Sequence, residues 1–208
     1  MESTNSIRLI LIRHGMTAFN KEKKYMGYTD EPVLAGKLAD YRPLRAALMH
    51  ERIDAVYSSD LLRCRQTANY LFGDKACGLD SRLREIHFGD WEGKTYEELK
   101  EDPVYCDWLS NWETAAIPNG EGNADFHKRV LAFLEQVVLV RGQVGKSLAI
   151  VSHGGVIRHI VSSLCEDVAY WDVSVDFGQA IVLEVAEKGG KWLCMSSSVA
   201  PTAENGHS

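Results

Sequence analysis

Residues 7–13, IRLILIR, are mostly branched apolar side chains interrupted by two arginines. Such a run predicts a strand buried on both faces. IDAVYSS at 53–59 and SLAIVSH at 147–153 repeat the pattern, and LDSRLREI at 79–86 predicts a further short strand. Between these runs the spacing turns helical. Residues 36–51 suit a helix that Pro43 interrupts. Ser59 or Asp60 can cap a helix reaching Phe72, with Leu61, Ala68 and Leu71 on its apolar positions. From 123 to 141, Phe126, Val130, Phe133, Leu134, Val137 and Val138 fall at offsets of 4, 7, 8, 11 and 12, an amphipathic helix. Residues 155–164 predict another helix, and 179–196 a hairpin turning at Gly189-Gly190.

Two stretches break the alternation. FNKEKKYMGYTDEP (19–32) is polar and turn-rich, a loop. Residues 87–122 mix helix signals with turns, carry Trp91, Trp108 and Trp112, and hold a capping box at Thr95 and Glu98. This segment is expected to cap one edge of the sheet, and the tail, about 200–208, to be disordered. Strands alternating with helices predict one α/β domain over 1–208: a three-layer α/β/α sandwich with a mainly parallel sheet and a small helical cap insertion. Ligands in such sheets bind outside the carboxyl ends of the strands. Two strands end there in His-Gly, at Arg13-His14-Gly15 and at His153-Gly154-Gly155.

Composition narrows the function. Hydrophobic residues are 45%, charged residues 25%, and the formal net charge is -6. An acidic chain is a poor general binder of nucleic acid or anionic membrane, so neither is expected as a partner. The five cysteines are scattered with no Cys-x-x-Cys pair, which reads as free thiols in a reducing compartment. No basic segment precedes the first apolar run, and that run is too short to span a membrane. A cytoplasmic protein is expected.

The candidate chemistry gathers at the sheet edge. Arg13 and Arg63 offer permanently charged forks suited to phosphate. Arginines beside His14 would depress its pKa by like charge and leave a neutral, nucleophilic imidazole. His153 and Gly154 follow the third strand, and Glu85 lies at the junction with the cap, where it could protonate a leaving alkoxide. No His-x-Glu-x-His cluster suggests a metal, and no cofactor is expected.

These residues carry a resemblance. LIRHGMTAFN resembles the Arg-His-Gly-x-Thr-x-x-Asn signature of the histidine phosphatase superfamily, phosphoglycerate-mutase-like branch. GYTDEP, VYSSDLLRCRQTA, LREIHFGDWEG, PNGEGNADFHKRV and VSHGGVIR resemble five further segments of that family, in the same order. The resemblance implies His14 as the phosphorylated nucleophile and Glu85 as proton donor. It implies Arg13, Arg63 and His153 as the phosphate pocket, with Thr17, Asn20, Met26, Gly27 and Gly154 toward substrate, and no metal. Three departures stand out: Met16 where Glu or Gln is common, a loop PVLAG one residue short, and Gly122 where Ser is common.

The expected function is metal-independent hydrolysis of a small phosphorylated metabolite, by a monomer or homodimer. A mutase must also hold a carboxylate, yet no Lys or Arg lies between Lys100 and Lys128. That cap favours an apolar or aromatic leaving group, and the chain's length and Pro-x-Gly-Glu stretch resemble the α-ribazole phosphatase members. A non-catalytic phosphate-binding module on the same fold is the other alternative.

Overall fold

Alternate residues of β1 (Ser6–Arg13) point into two separate cores. Ile7, Leu9 and Leu11 pack on one face with the cap and the later helices; Ile10 and Ile12 pack on the other. This two-sided burial is the physical basis of the three layers. A computed structural model describes residues 5–201, and the expectation of a disordered tail falls mainly outside them.

The other strands are β2 (Ala55–Ser58), β3 (Cys77–Leu79), β4 (Ser147–Ser152), β5 (Ala180–Lys188) and β6 (Lys191–Ala200). They run β3-β2-β4-β1-β5-β6; the first four are parallel, β5 pairs antiparallel with β1, and β6 pairs antiparallel with β5. β1 is therefore internal, pairing Arg8 with Ser147 in β4 and Ile7 with Val185 in β5. The β5–β6 hairpin turns at Gly189 and Gly190, both at positive φ (57° and 80°), which explains the glycine pair.

The helices are α1 (Ala18–Lys21), α2 (Arg42–Leu48), α3 (Leu62–Phe72), α4 (Tyr96–Leu99), α5 (Pro103–Ser110), α6 (Asn123–Phe133) and α7 (Gly154–Leu164). The capping box at Thr95 and Glu98 starts α4 as expected.

Four boundaries differ from the sequence reading. The strand expected at 79–86 is confined to 77–79, because Asp80 accepts from the Arg82 N–H at 2.9 Å and starts a 3-10 turn over Ser81–Leu83. The helix expected at 36–51 divides into a 3-10 turn, Lys37–Tyr41, and α2, with Pro43 in the first turn of α2, where a missing N–H costs nothing. Neither Ser59 nor Asp60 is the N-cap of α3; Leu61 is, and Asp30 from the 19–32 loop accepts from the Leu62 N–H at 2.6 Å. The helix expected to 141 stays α-helical only to Phe133 and continues as one π-helical stretch, Leu134–Val138.

Candidate active site

β2, β4 and β1 are neighbours, so their carboxyl ends bring Ser59, His153 and His14 to one edge. The ladder continues past the strands. His14 N–H donates to the Ser152 carbonyl at 2.9 Å, and Ser59 N–H to the Val151 carbonyl at 3.0 Å. The Gly15 N–H donates to Thr67 Oγ1 at 2.8 Å, and that hydroxyl donates to the Arg63 carbonyl at 2.7 Å. Thr67, which the sequence reading did not single out, thus ties α3 to the end of β1.

His14 is 3% exposed. Its Nδ1 stands 2.8 Å from the Gly15 carbonyl. A carbonyl only accepts, so Nδ1 carries the proton and Nε2 keeps its lone pair. Burial holds the imidazole's pKa well below its usual value, and Arg63 and Arg13 add to that. The like charge of the arginines, expected from the sequence, is the smaller cause; burial is the larger. The His153 ring lies 5.0 Å from that of His14, centroid to centroid, with Nε2 3.0 Å from Ser59 Oγ and 3.4 Å from the buried Cys64 Sγ. Burial first, then Arg63, holds its pKa low as well.

Both arginines are anchored through backbone carbonyls. Arg63 donates to Thr29 at 2.8 Å and to Gly27 at 2.7 Å. Arg13 donates to Val175 at 2.9 Å and lies 4.2 Å from the Phe177 ring centroid. In each, Nε is buried without a partner. Unpaired buried donors are costly and rare, and here they belong to the two cations that act on His14.

The loop that holds Arg63 is itself held by Glu92 from the cap. The Glu92 carboxylate accepts from the N–H groups of Gly27 (2.9 Å), Tyr28 (2.8 Å) and Thr29 (3.1 Å), and from Thr29 Oγ1 (2.6 Å). Burial works against its charge, but these donors outweigh burial and Glu92 titrates below its usual value. A side chain at Gly27 would meet the Ile86 carbonyl at 1.9 Å, so only glycine fits there. Thr17 and Asn20 are spent on capping α1: Asn20 N–H donates to Thr17 Oγ1, and Thr17 N–H to Asn20 Oδ1. Met26 is buried with its sulfur 3.5 Å from Thr17 Oγ1. Gly154 begins α7 next to His153. Met16 acts through its backbone carbonyl, which accepts from Leu34 N–H at 2.9 Å and pins the short loop.

Glu85 sits opposite. Its Oε2 accepts from Gly155 N–H at 2.9 Å and its Oε1 from Ile86 N–H at 3.1 Å. Arg129 on α6 fixes this turn by donating to the carbonyls of Arg82, Arg84 and Glu85, and it pairs with Glu121 at 2.7 Å. Glu121 is the acid of the Pro-x-Gly-Glu stretch.

A cavity of about 360 Å³ opens beside Glu85 and Gly155, walled mainly by Tyr25, Phe88, Trp108, Trp112, Tyr170 and Trp171. Arg158 of α7 also lines it, donating from Nε to the Val173 carbonyl at 3.1 Å, with its guanidinium 5.9 Å and 5.7 Å from the Tyr170 and Trp171 rings. No Lys or Arg lies between Lys100 and Lys128, but α7 supplies a cation from the other wall. Arg158 ends the VSHGGVIR segment, whereas Tyr170 and Trp171 come from a stretch with no motif of its own, so only the fold reveals those two. Among the described residues, no group of three or more His, Cys, Asp or Glu is arranged to hold a metal ion.

The fold and this edge define an enzyme of phosphate-ester chemistry. Residues 9–197 match the model of the histidine phosphatase superfamily (branch 1), and the chain belongs to that family. It is 30% identical over 188 residues to the adenosylcobalamin/α-ribazole phosphatase of Escherichia coli, covering 88% of this chain and 92% of that one. It is 35% identical over 175 residues to a broad-specificity phosphatase of Saccharomyces cerevisiae, covering 78% and 72%. The crystal structure of the α-ribazole phosphatase from Shigella flexneri superposes with a TM-score of 0.79 at 30% identity, covering 90% of this chain and 94% of that one. No helix among the described residues is long and apolar enough to cross a membrane.

Proposed function

We propose that this phosphatase hydrolyses the phosphomonoester of an aromatic nucleoside-like metabolite, such as α-ribazole phosphate, through phospho-His14 and without a metal. The observation that carries the mechanism is a buried, neutral His14 with Nε2 free, beside two arginines whose Nε donors have no protein partner.

His14 Nε2 attacks phosphorus, a nitrogen–phosphorus bond forms, and the ester oxygen leaves. Arg13 and Arg63 spread the charge on the equatorial oxygens. His153 donates a further hydrogen bond once it turns from Ser59 to the phosphoryl group. Glu85 gives its proton to the leaving oxygen. Water then attacks phospho-His14, its proton returns to Glu85, and phosphate leaves as the imidazole recovers its lone pair. Gly154 lets the backbone approach the phosphoryl group. Gly27, Thr17, Asn20 and Met26 serve this site by holding the loops around Arg63 and His14 rather than by reading the leaving group.

The aromatic cavity beside Glu85 supports a planar leaving group. Arg158 is the one observation that favours a mutase-like substrate with a second acid group. Its position over two aromatic rings fits a stacked base better than an isolated carboxylate. Five free thiols support a reducing, cytoplasmic setting, with a small metabolite as the substrate and a monomer or homodimer as the working unit.

The test is phosphate release from α-ribazole phosphate, 3-phosphoglycerate and p-nitrophenyl phosphate, with EDTA present throughout. The reading expects α-ribazole phosphate to have the highest kcat/KM. A preference for 3-phosphoglycerate would favour the mutase reading, and absence of all turnover in folded protein would sink the enzyme mechanism.

A further inference from the structure

Gly155 marks a point at which two polar groups converge. A Cβ placed there would stand 2.3 Å from Glu85 Oε1 and 3.1 Å from the Tyr170 hydroxyl. The lack of a side chain at 155 is what gives both groups access to the same space. Both residues line the aromatic cavity. The Tyr170 hydroxyl makes no hydrogen bond to Glu85, although the two are close enough that Glu85 raises the phenol's pKa further after burial.

The ring of Tyr170 is firmly placed. It stacks on Trp112 at 4.7 Å with an interplanar angle of 28°, lies 4.7 Å from the His159 ring, and carries the Arg158 guanidinium 5.9 Å from its centroid. The 3-10 turn that bears it, Tyr170–Asp172, follows α7 directly in the fold. A phenol fixed by packing, protonated at every physiological pH and aimed beside a general acid is suited to donate one hydrogen bond.

We infer that Tyr170 is a further catalytic residue, whose hydroxyl donates a hydrogen bond to the leaving-group oxygen while Glu85 delivers the proton to it. This rests on the phosphomonoesterase reading above. The phenol transfers no proton itself. In the first step the phosphorus–oxygen bond breaks, the oxygen takes the Glu85 proton, and the Tyr170 donor stabilises the charge built up before that transfer is complete. In the second step the same position holds the attacking water, which donates to the Glu85 carboxylate while it accepts from Tyr170. The arrangement gives the leaving oxygen two donors, Glu85 and the Tyr170 hydroxyl.

The experiment is Tyr170→Phe, which keeps the stacked ring and removes the hydroxyl alone. It is assayed on p-nitrophenyl phosphate, whose leaving group needs little help, and on a series of alkyl phosphates, whose leaving groups need much. The expected result is a fall in kcat/KM of about 10-fold for the alkyl esters, the size of one hydrogen bond, with much less change for the p-nitrophenyl ester. Glu85→Gln should sharpen the same leaving-group dependence, and adding Tyr170→Phe to it should cost less than in the wild type, since both act on one oxygen. An equal fall on both substrate types, or no fall on either, overturns the proposal. Failure of the underlying reading is separate: wild-type protein would then release no phosphate from any ester.

Discussion

The Nη2 of Arg63 donates to the Gly27 carbonyl at 2.7 Å, and the Gly27 N–H donates to Glu92 at 2.9 Å. One glycine therefore links Arg63 to the cap. The cap and the loop that holds Arg63 are one hydrogen-bonded unit, although the sequence keeps their residues far apart.

His14→Ala removes the proposed nucleophile. Turnover should fall by at least ~10³-fold, and the phosphoenzyme trapped by acid quench from radiolabelled substrate should vanish with it. Retained activity with no trapped phosphoenzyme would exclude His14 as nucleophile.

Glu85→Gln keeps one of the two acceptor contacts, to Gly155 or to Ile86, and removes the transferable proton. Alkyl phosphates should lose ~10²–10⁴-fold in kcat, and p-nitrophenyl phosphate far less. Parallel losses on both would argue that Glu85 holds the fold of the site rather than supplying a proton.

Acid should destabilise the fold through buried histidines. Burial lowers the pKa of His14 and His153 well below 6.5, and that of His159 to about 3, where His127 adds to the effect. Below about pH 6.5 the unfolded chain binds protons that the native chain does not. Stability is therefore full above about pH 6.5 and declines as pH falls, by up to ~1.4 kcal/mol per pH unit for each such histidine. Thermal melts between about pH 7 and 5 should show that slope, and His159→Phe should reduce it. The same lowering keeps His14 neutral, so kcat/KM should have no acid limb near the ordinary histidine value. A limb there that titrates with His14 would contradict the burial argument.

Arg129→Met deletes three donors to backbone carbonyls and leaves Glu121 without its partner. Denaturant unfolding should show a loss of about 3 kcal/mol, the scale of a half-removed buried pair. kcat should fall as well, because the Glu85 carbonyl is one of the three. A variant of wild-type stability would show that the pair is dispensable.

Local pattern revealed β1, β2, β4, the hairpin and the two His-Gly endings, because burial on both faces leaves long apolar runs. It exposed His14, Glu85, Arg13, Arg63 and His153, since each sits at an element's end within a recognisable motif. The signal failed where a distant group decides. Asp30, not Ser59 or Asp60, serves the start of α3. Asp80 turns the chain out of a strand that the apolar pattern alone would extend. Glu92, Thr67 and Arg129 support the site through backbone atoms, which leave no pattern in side-chain hydropathy. Tyr170 and Trp171 look like ordinary loop residues until α7 is laid against the cap, and the place of Arg158 between them is set only there.

The position of β1 has a consequence for how the chain comes to life. The strand that leads into His14 is synthesised well before both of its neighbours in the sheet, β4 and β5. Its apolar residues must wait unpaired while the intervening segments are synthesised, with the exposure to misassembly that long-range pairing brings. The surroundings of His14 thus form only when the sheet closes, and an interrupted chain lacking β4 and β5 would carry His14 with no site around it.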